Sequence, residues 1–448
     1  MKPRALMAVA VVGGVALAWA AWAVGRGDDA SPGATSPGAT SPGATSPGAT
    51  SPGARATLSV AEALGGADTA GYARATEPRS FRFPEDHGPH PDYRTEWWYV
   101  TGHLETEEGR RFGVQLTVFR SALAPEAPAA GTPPGDAPAG SAPEADARPS
   151  AWTTRQAWMA HLAVTDVEAG RFHGFERFER GAVGLAGARV EPFRVWVGDW
   201  EMRGPSEDRV LPARAAGGFP PGDASASIFP LSLSAREGEV ALELDLSPAK
   251  PLVLQGEEGL SRKGPAPGNA SYYYSFTRLQ ARGDVTTPAG RFPVTGTAWL
   301  DREWSTSSLP AGVVGWDWFA LQMDDGRDLM LNVLRQADGA PSPHSGGVMV
   351  SADGTPERVS AETWNVEVLD RWTSPVDGAA YPSAWRVRVP AHGLDVRVRP
   401  LLPHQELDVT FRYWEGAVEV TGRDGNGPVT GRGYVELTGY AGSGRPRG

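Results

Sequence analysis

Two acids and a tryptophan alternate along Ala298-Trp299-Leu300-Asp301-Arg302-Glu303-Trp304. Read as a β-strand, the stretch puts Trp299, Asp301 and Glu303 on one face and Leu300 and Arg302 on the other. A carboxylate on an apolar-rich strand must be paired, protonated or put to chemical use. A buried carboxylic acid that keeps its proton can act as a general acid. Asp301 and Glu303 are therefore the catalytic candidates. The competing reading is a structural ion pair of either acid with an arginine such as Arg278.

Two further stretches have the same character. Asp86-His87-Gly88-Pro89-His90-Pro91-Asp92 precedes Glu96-Trp97-Trp98-Tyr99, and Gly315-Trp316-Asp317-Trp318-Phe319 follows the acidic strand. Imidazole and carboxylate suit zinc or iron, but Gly88-Pro89 forbids the helix that usually presents such ligands. Hydrogen bonds that tie down a strand start, or polar contacts from His87 and His90 to a substrate, compete with the metal reading. We expect no metal and no cofactor. Glu96, Trp97, Trp98, Tyr99, Trp299, Trp316, Asp317 and Trp318 either line an apolar ligand pocket or fill a barrel core. Of Tyr272, Tyr273 and Tyr274, one must face opposite to its neighbours; Tyr272 and Tyr274 are the candidates for orienting a substrate. Lys263 lies in a Gly/Pro loop and reads as a solvated cation.

These side chains need a scaffold, and the chain of 448 residues supplies one rich in glycine (56) and proline (40). That composition favours β structure with many turns. The absence of cysteine excludes disulfides, thiolate metal sites, thiol nucleophiles and an acylated lipoprotein cysteine. A formal net charge of −11 argues against nucleic acid and anionic lipid as partners. No Ser-His-Asp triad, phosphate loop, nucleotide fingerprint or Gly-x-Ser-x-Gly motif is present.

Residues 1–25 carry a basic start, Lys2 and Arg4, then an uncharged apolar run from Ala5 to Val24. A cleavable signal peptide and an uncleaved transmembrane anchor both fit. Either leaves the bulk of the chain extracytoplasmic, periplasmic or at the cell surface, with this segment as the membrane contact. Residues 26–77 contain four copies of Ser-Pro-Gly-Ala-Thr and read as a disordered linker, with a short helix around Val60–Leu64. Alternating strands begin at Trp97–Leu104 and Phe112–Arg120, and Ala/Pro/Gly-rich residues 124–150 read as a disordered insertion. Trp158–Thr165, Arg189–Met202, Ala226–Ser234 and Val240–Leu246 continue the pattern, and a Gly/Pro cluster near 264–268 suits a domain junction. The expected domains are 78–258 and 259–448, both all-β antiparallel barrels. The hairpin from Trp97 to Arg120 resembles that from Trp316 to Arg335, which suggests a duplicated barrel.

At the motif level the chain resembles the AttH/carotenoid 1,2-hydratase family of two-domain lipocalin-like proteins. The resemblance rests on 83–102, Tyr272-Tyr-Tyr-Ser275, 298–304, 315–319, Tyr413-Trp-Glu-Gly416 and Gly433-Tyr-Val-Glu-Leu-Thr-Gly-Tyr440. It implies two calycin-like barrels with a hydrophobic-ligand site in or between them. It also maps Asp301 onto the acidic residue of the hydratases' strand motif. Arg302-Glu303-Trp304 after that aspartate follows the AttH-like branch instead. Two functional expectations follow. One is an exported protein that binds an isoprenoid or lipid-like ligand and hydrates a C=C bond. The other is a non-catalytic extracytoplasmic accessory to an ABC-type lipid or lipoprotein exporter.

Overall fold

The computed structural model describes residues 69–125, 154–205, 224–306 and 309–441. Residues 1–25, nearly all of the repeat linker, the Val60–Leu64 helix and most of the 124–150 insertion lie outside the described residues.

The first part of the chain forms β1 (Thr95–Glu105), β2 (Arg111–Ala122), β3 (Gln156–Asp166) and β4 (Arg171–Arg180). Next come β5 (Ala186–Arg189), β6 (Arg194–Val197), β7 (Trp200–Arg203), β8 (Leu231–Glu237) and β9 (Val240–Pro248). The short β10 (Val253–Leu254) and β11 (Leu260–Arg262) lead to the long hairpin of β12 (Ala270–Thr287) and β13 (Gly290–Ser305). All thirteen join one sheet, in the order β4-β3-β2-β1-β13-β12-β9-β8-β7-β6-β5, with β10 and β11 also paired to β12.

The second sheet starts with β14 (Val313–Met323), β15 (Asp328–Gln336), β16 (Gly346–Val350) and β17 (Pro356–Ser360). It continues through β18 (Asn365–Thr373), β19 (Ala380–Val389) and β20 (Leu394–Pro400) to β21 (Glu406–Leu407), β22 (Tyr413–Asp424) and β23 (Gly427–Leu437). Its order is β17-β16-β15-β14-β23-β22-β20-β19-β18, with β21 on β22. One sheet is a nearly closed barrel and the other a half-barrel, which together make an all-β fold of two lipocalin-like barrel domains. Among the described residues no helix is long and apolar enough to cross a membrane.

Three expectations need correction. The sheets do not divide at 258/259, because β11–β13 pair into the first sheet and the second begins at Val313. The Gly/Pro cluster is a hairpin loop between antiparallel β11 and β12; Gly and Pro mark a reversal, and a reversal joins strands of one sheet as readily as it separates domains. The single strand expected over Arg189–Met202 is cut into β5, β6 and β7, with Gly198 turning at φ +62°. The apolar period survived these tight turns, so the pattern concealed them.

Strand alternation produces four apolar clusters among the described residues, the smallest around Ala163, Leu407 and Tyr413. Even-numbered side chains of β1 and β13, among them Trp98, Val100, Leu300 and Trp304, fill the first barrel. Phe319, Trp385, Trp414 and Val435 belong to the core of the second. A third cluster joins Tyr99, Tyr273 and Trp299 of the first sheet to Trp318, Ala320 and Tyr434 of the second. Where the sheets meet, both faces of β1, of β14 and of the second half of β13 are therefore buried, and the odd-numbered face of β13 points at the neighbouring sheet.

Candidate functional site

A cavity of about 70 Å3 opens in that third cluster. Its walls include Trp97, Tyr99, Tyr273, Asp301 and Glu303 from the first sheet and Trp316, Trp318, Asn332, Tyr413 and Glu436 from the second. Pairing places these groups. Asp301 lies opposite Tyr99 on β1 and opposite Ser275 on β12, and Glu303 lies opposite Trp97 and Tyr273. Trp318 lies opposite Glu436.

Asp301 is buried, and three neutral donors hold it. The Tyr273 hydroxyl donates to Oδ2 at 2.5 Å, the Ser275 hydroxyl to Oδ1 at 2.5 Å, and the Trp299 indole N–H to Oδ1 at 2.6 Å. Burial pushes its carboxyl up to about 7 against those donors, with repulsion from Glu303 adding to the rise. The ion pair with Arg278 does not form. A bulge in β12 between Phe276 and Leu279 shifts the register there, and Arg278 pairs with Asp328 at 2.6 Å beside Lys250.

Glu303 accepts from the Ser271 hydroxyl and meets Lys263 Nζ at 3.4 Å. Lys263 is not the solvated cation its loop suggested. It is 6% exposed and lies 5.5 Å from the centre of the Tyr273 ring. On the opposite wall Glu436 accepts from the Trp316 indole N–H at 2.7 Å. Burial pushes it up to about 8, with the Asp301 and Glu303 charges adding to the rise. Glu415 sits directly across from Glu436 on the paired strand. It accepts from the Tyr99 hydroxyl at 2.8 Å, and burial followed by the charge of Glu436 holds its carboxyl well above the ordinary range. Several acids thus converge between the sheets, opposed by one lysine.

The even-numbered face of the same strands is built differently. Glu96, 0% exposed, is clamped between the guanidinium groups of Arg120 and Arg302 and accepts from the His90 backbone N–H at 3.0 Å. Burial opposes its ionisation, but Arg302 and Arg120 outweigh it and hold the carboxyl well below the usual range. The Arg302 guanidinium lies 3.8 Å from the centre of the Trp98 ring, and His90 stacks on Trp304 with ring centres 3.8 Å apart. His87 meets the Tyr274 hydroxyl at 2.6 Å and the Ser225 carbonyl at 3.0 Å. Tyr272 donates to the Glu77 carbonyl at 2.9 Å.

Of the residues expected at a site, Trp97, Tyr99, Trp299, Asp301, Glu303, Trp316 and Trp318 are therefore brought together between the sheets. Glu96, Trp98, His87, His90, Tyr272 and Tyr274 are not; alternation turns them into the first barrel, where they tie its end. Asp317 faces the second barrel, pairing with Arg335 at 2.9 Å and accepting from Tyr440 at 3.0 Å. Among the described residues no group of three His, Cys, Asp or Glu side chains is disposed to hold a metal ion.

Sequence reading missed Tyr273, Lys263, Glu415 and Glu436. The odd parity of Tyr273 could have been found, because β12 pairs with the acidic strand and a hairpin shares its faces. Glu415 and Glu436 stood inside Tyr413–Gly416 and Gly433–Tyr440, but only the pairing of β22 with β23 sets them opposite each other.

The chain belongs to the AttH-like family, whose model matches residues 74–440. A solved AttH structure from Nitrosomonas europaea is similar at 33% identity, with TM-score 0.66, and covers 82% of this chain and 100% of its own. Kievitone hydratase from Nectria haematococca shares the fold at 13% identity and TM-score 0.56, covering 83% of this chain and 98% of its own. No curated protein matches the chain.

Proposed function

We propose that the cavity between the sheets protonates a carbon–carbon double bond of an apolar, isoprenoid-like ligand and adds water to the cation. The observation that carries the reading is Asp301: a buried carboxyl with three neutral donors, pushed up to about 7, in a cavity walled by tryptophan. An acid that keeps its proton near neutral pH is what alkene protonation needs. In the forward step the Asp301 O–H bond breaks and a C–H bond forms, leaving a carbocation and a carboxylate. Trp97, Trp316 and Trp318, which line the cavity, present electron-rich rings to that cation. Water then forms the C–O bond, and its extra proton returns to the Asp301 carboxylate, which regenerates the acid. Kievitone hydratase, of the same fold, is named for a hydration, which agrees with this chemistry. Placement outside the cytoplasm is part of the same proposal and rests on residues 1–25 alone.

The experiment is incubation with a panel of acyclic isoprenoid alkenes in H2 18O, followed by mass spectrometry. A product carrying one 18O-labelled hydroxyl, made by the wild type and not by Asp301→Asn, is the expected result. Binding of those ligands by both proteins without any labelled product would make the cavity a binding site without turnover, and would sink the hydration reading.

A further inference from the structure

A second cavity, of about 210 Å3, adjoins the first, and both are lined by Lys263 and Asn332. The first is too small for a whole isoprenoid chain, since sites for drug-sized ligands run to roughly 300 Å3 or more. A ligand with its reacting end beside Asp301 must therefore continue past Asn332. Beyond that point the walls change character, to Gln255, Ser261, Ser345 and Ser360 with charged groups at the rim.

The charges are offset. Lys263 meets Glu303 at 3.4 Å, Arg262 meets Glu257 at 3.6 Å, and Arg358 and Glu362 contribute one charge of each sign. Hydrogen-bonding capacity is not offset. Asn332 Oδ1 is buried without a partner. Gln255 Oε1, in a residue 0% exposed, is also unpartnered, because its Nε2 donates to Ser275 at 2.8 Å. The Ser275 hydroxyl proton is committed to Asp301, which fixes that amide's orientation. An unpaired buried acceptor is costly until a ligand donor reaches it.

We propose that the ligand is amphipathic, with its apolar end in the first cavity and a neutral hydroxyl-bearing end in the second, read by the Asn332 amide. A hydroxyl both donates and accepts, so it matches an amide that presents both functions. A carboxylate would meet walls whose acids, Glu303 counted with Lys263, equal their cations in number. The inference rests on the preceding reading only in taking the first cavity as the seat of the apolar end.

The test uses farnesene, farnesol and farnesoic acid, which share one isoprenoid chain and differ at its end. Their affinities are measured by quenching of tryptophan fluorescence. Farnesol is expected to bind roughly five- to tenfold more tightly than farnesene, the yield of about one well-made hydrogen bond. Asn332→Leu should abolish that preference, farnesol and farnesene then binding about equally, and any binding of farnesene by the variant reports that it is folded. Equal binding of farnesene and farnesol, or tightest binding of farnesoic acid, would overturn this inference and leave the hydration reading standing. The wild-type ranking decides this even if the variant does not fold. Failure of all three to bind would overturn both.

Discussion

Glu96 and Asp301 lie on neighbouring strands, 0% and 3% exposed, yet the fold treats them in opposite ways. Glu96 faces the first barrel, where Arg120 and Arg302 compensate it and hold it ionised. Asp301 faces the second sheet, where hydroxyl and indole donors meet it and no ion pair forms with a described residue. Burial is the same for both and cannot account for the difference. The partners do: a guanidinium neutralises the charge, whereas a neutral donor only softens the cost of carrying it. One face holds its acid ionised and the other favours its neutral form.

Breaking the compensated face should have the largest effect. Glu96→Ala leaves two buried guanidinium groups without their carboxylate, and a loss of roughly 3–5 kcal/mol in unfolding free energy is expected. Urea denaturation measures it; a loss below about 1 kcal/mol would show that the network is not structural.

The two faces should respond to pH with opposite signs. Glu96 has a lowered folded value, so its contribution is present above its ordinary 4.5 and is lost as pH falls through the folded value. Asp301 is raised from 3.8 to about 7, so its contribution is full below 3.8 and is lost as pH rises towards 7. Glu436, raised to about 8, extends that loss to higher pH. Each such acid contributes a slope of up to about 1.4 kcal/mol per pH unit. Asp301→Asn should therefore gain stability relative to the wild type as pH rises from about 4 to about 7, the variant having no charge to bury. A difference between the two proteins that stays constant over that range would sink the protonation assignment.

The finest adjustment is a single donor. Ser275→Ala removes one hydrogen bond that favours the Asp301 carboxylate, worth about 1 kcal/mol or somewhat less than one pKa unit. The pH midpoint of any turnover should move upward by about that amount. Infrared titration of the protonated carboxyl band measures the same shift without substrate; a downward movement would contradict the role given to Ser275.

Much of this was legible in the residues themselves. Trp299, Asp301 and Glu303 share a face because strand parity is a local property of the backbone, and the recurring alternation with turn residues marks an antiparallel all-β chain. The motifs at 83–102, 298–304 and 433–440 placed the chain near its family. What lay beyond local reading was which face meets which neighbour. Both faces of β1 and β13 are buried, so the apolar pattern could not distinguish barrel interior from the contact between sheets. Local sequence points to Tyr272 and Tyr274 where Tyr273 reaches the cavity, and it sets Trp98 and Glu96 beside Trp97 and Tyr99 although a strand turns them apart. Arg278 was the expected partner of Asp301, but a two-residue irregularity in β12 carries it to Asp328. Glu415 and Glu436 stand 21 positions apart in sequence and become a facing pair only through the register of β22 and β23. Parity follows from the chain alone; partners across sheets, and therefore which carboxyl keeps its proton, follow from registers and packing that only the assembled fold specifies.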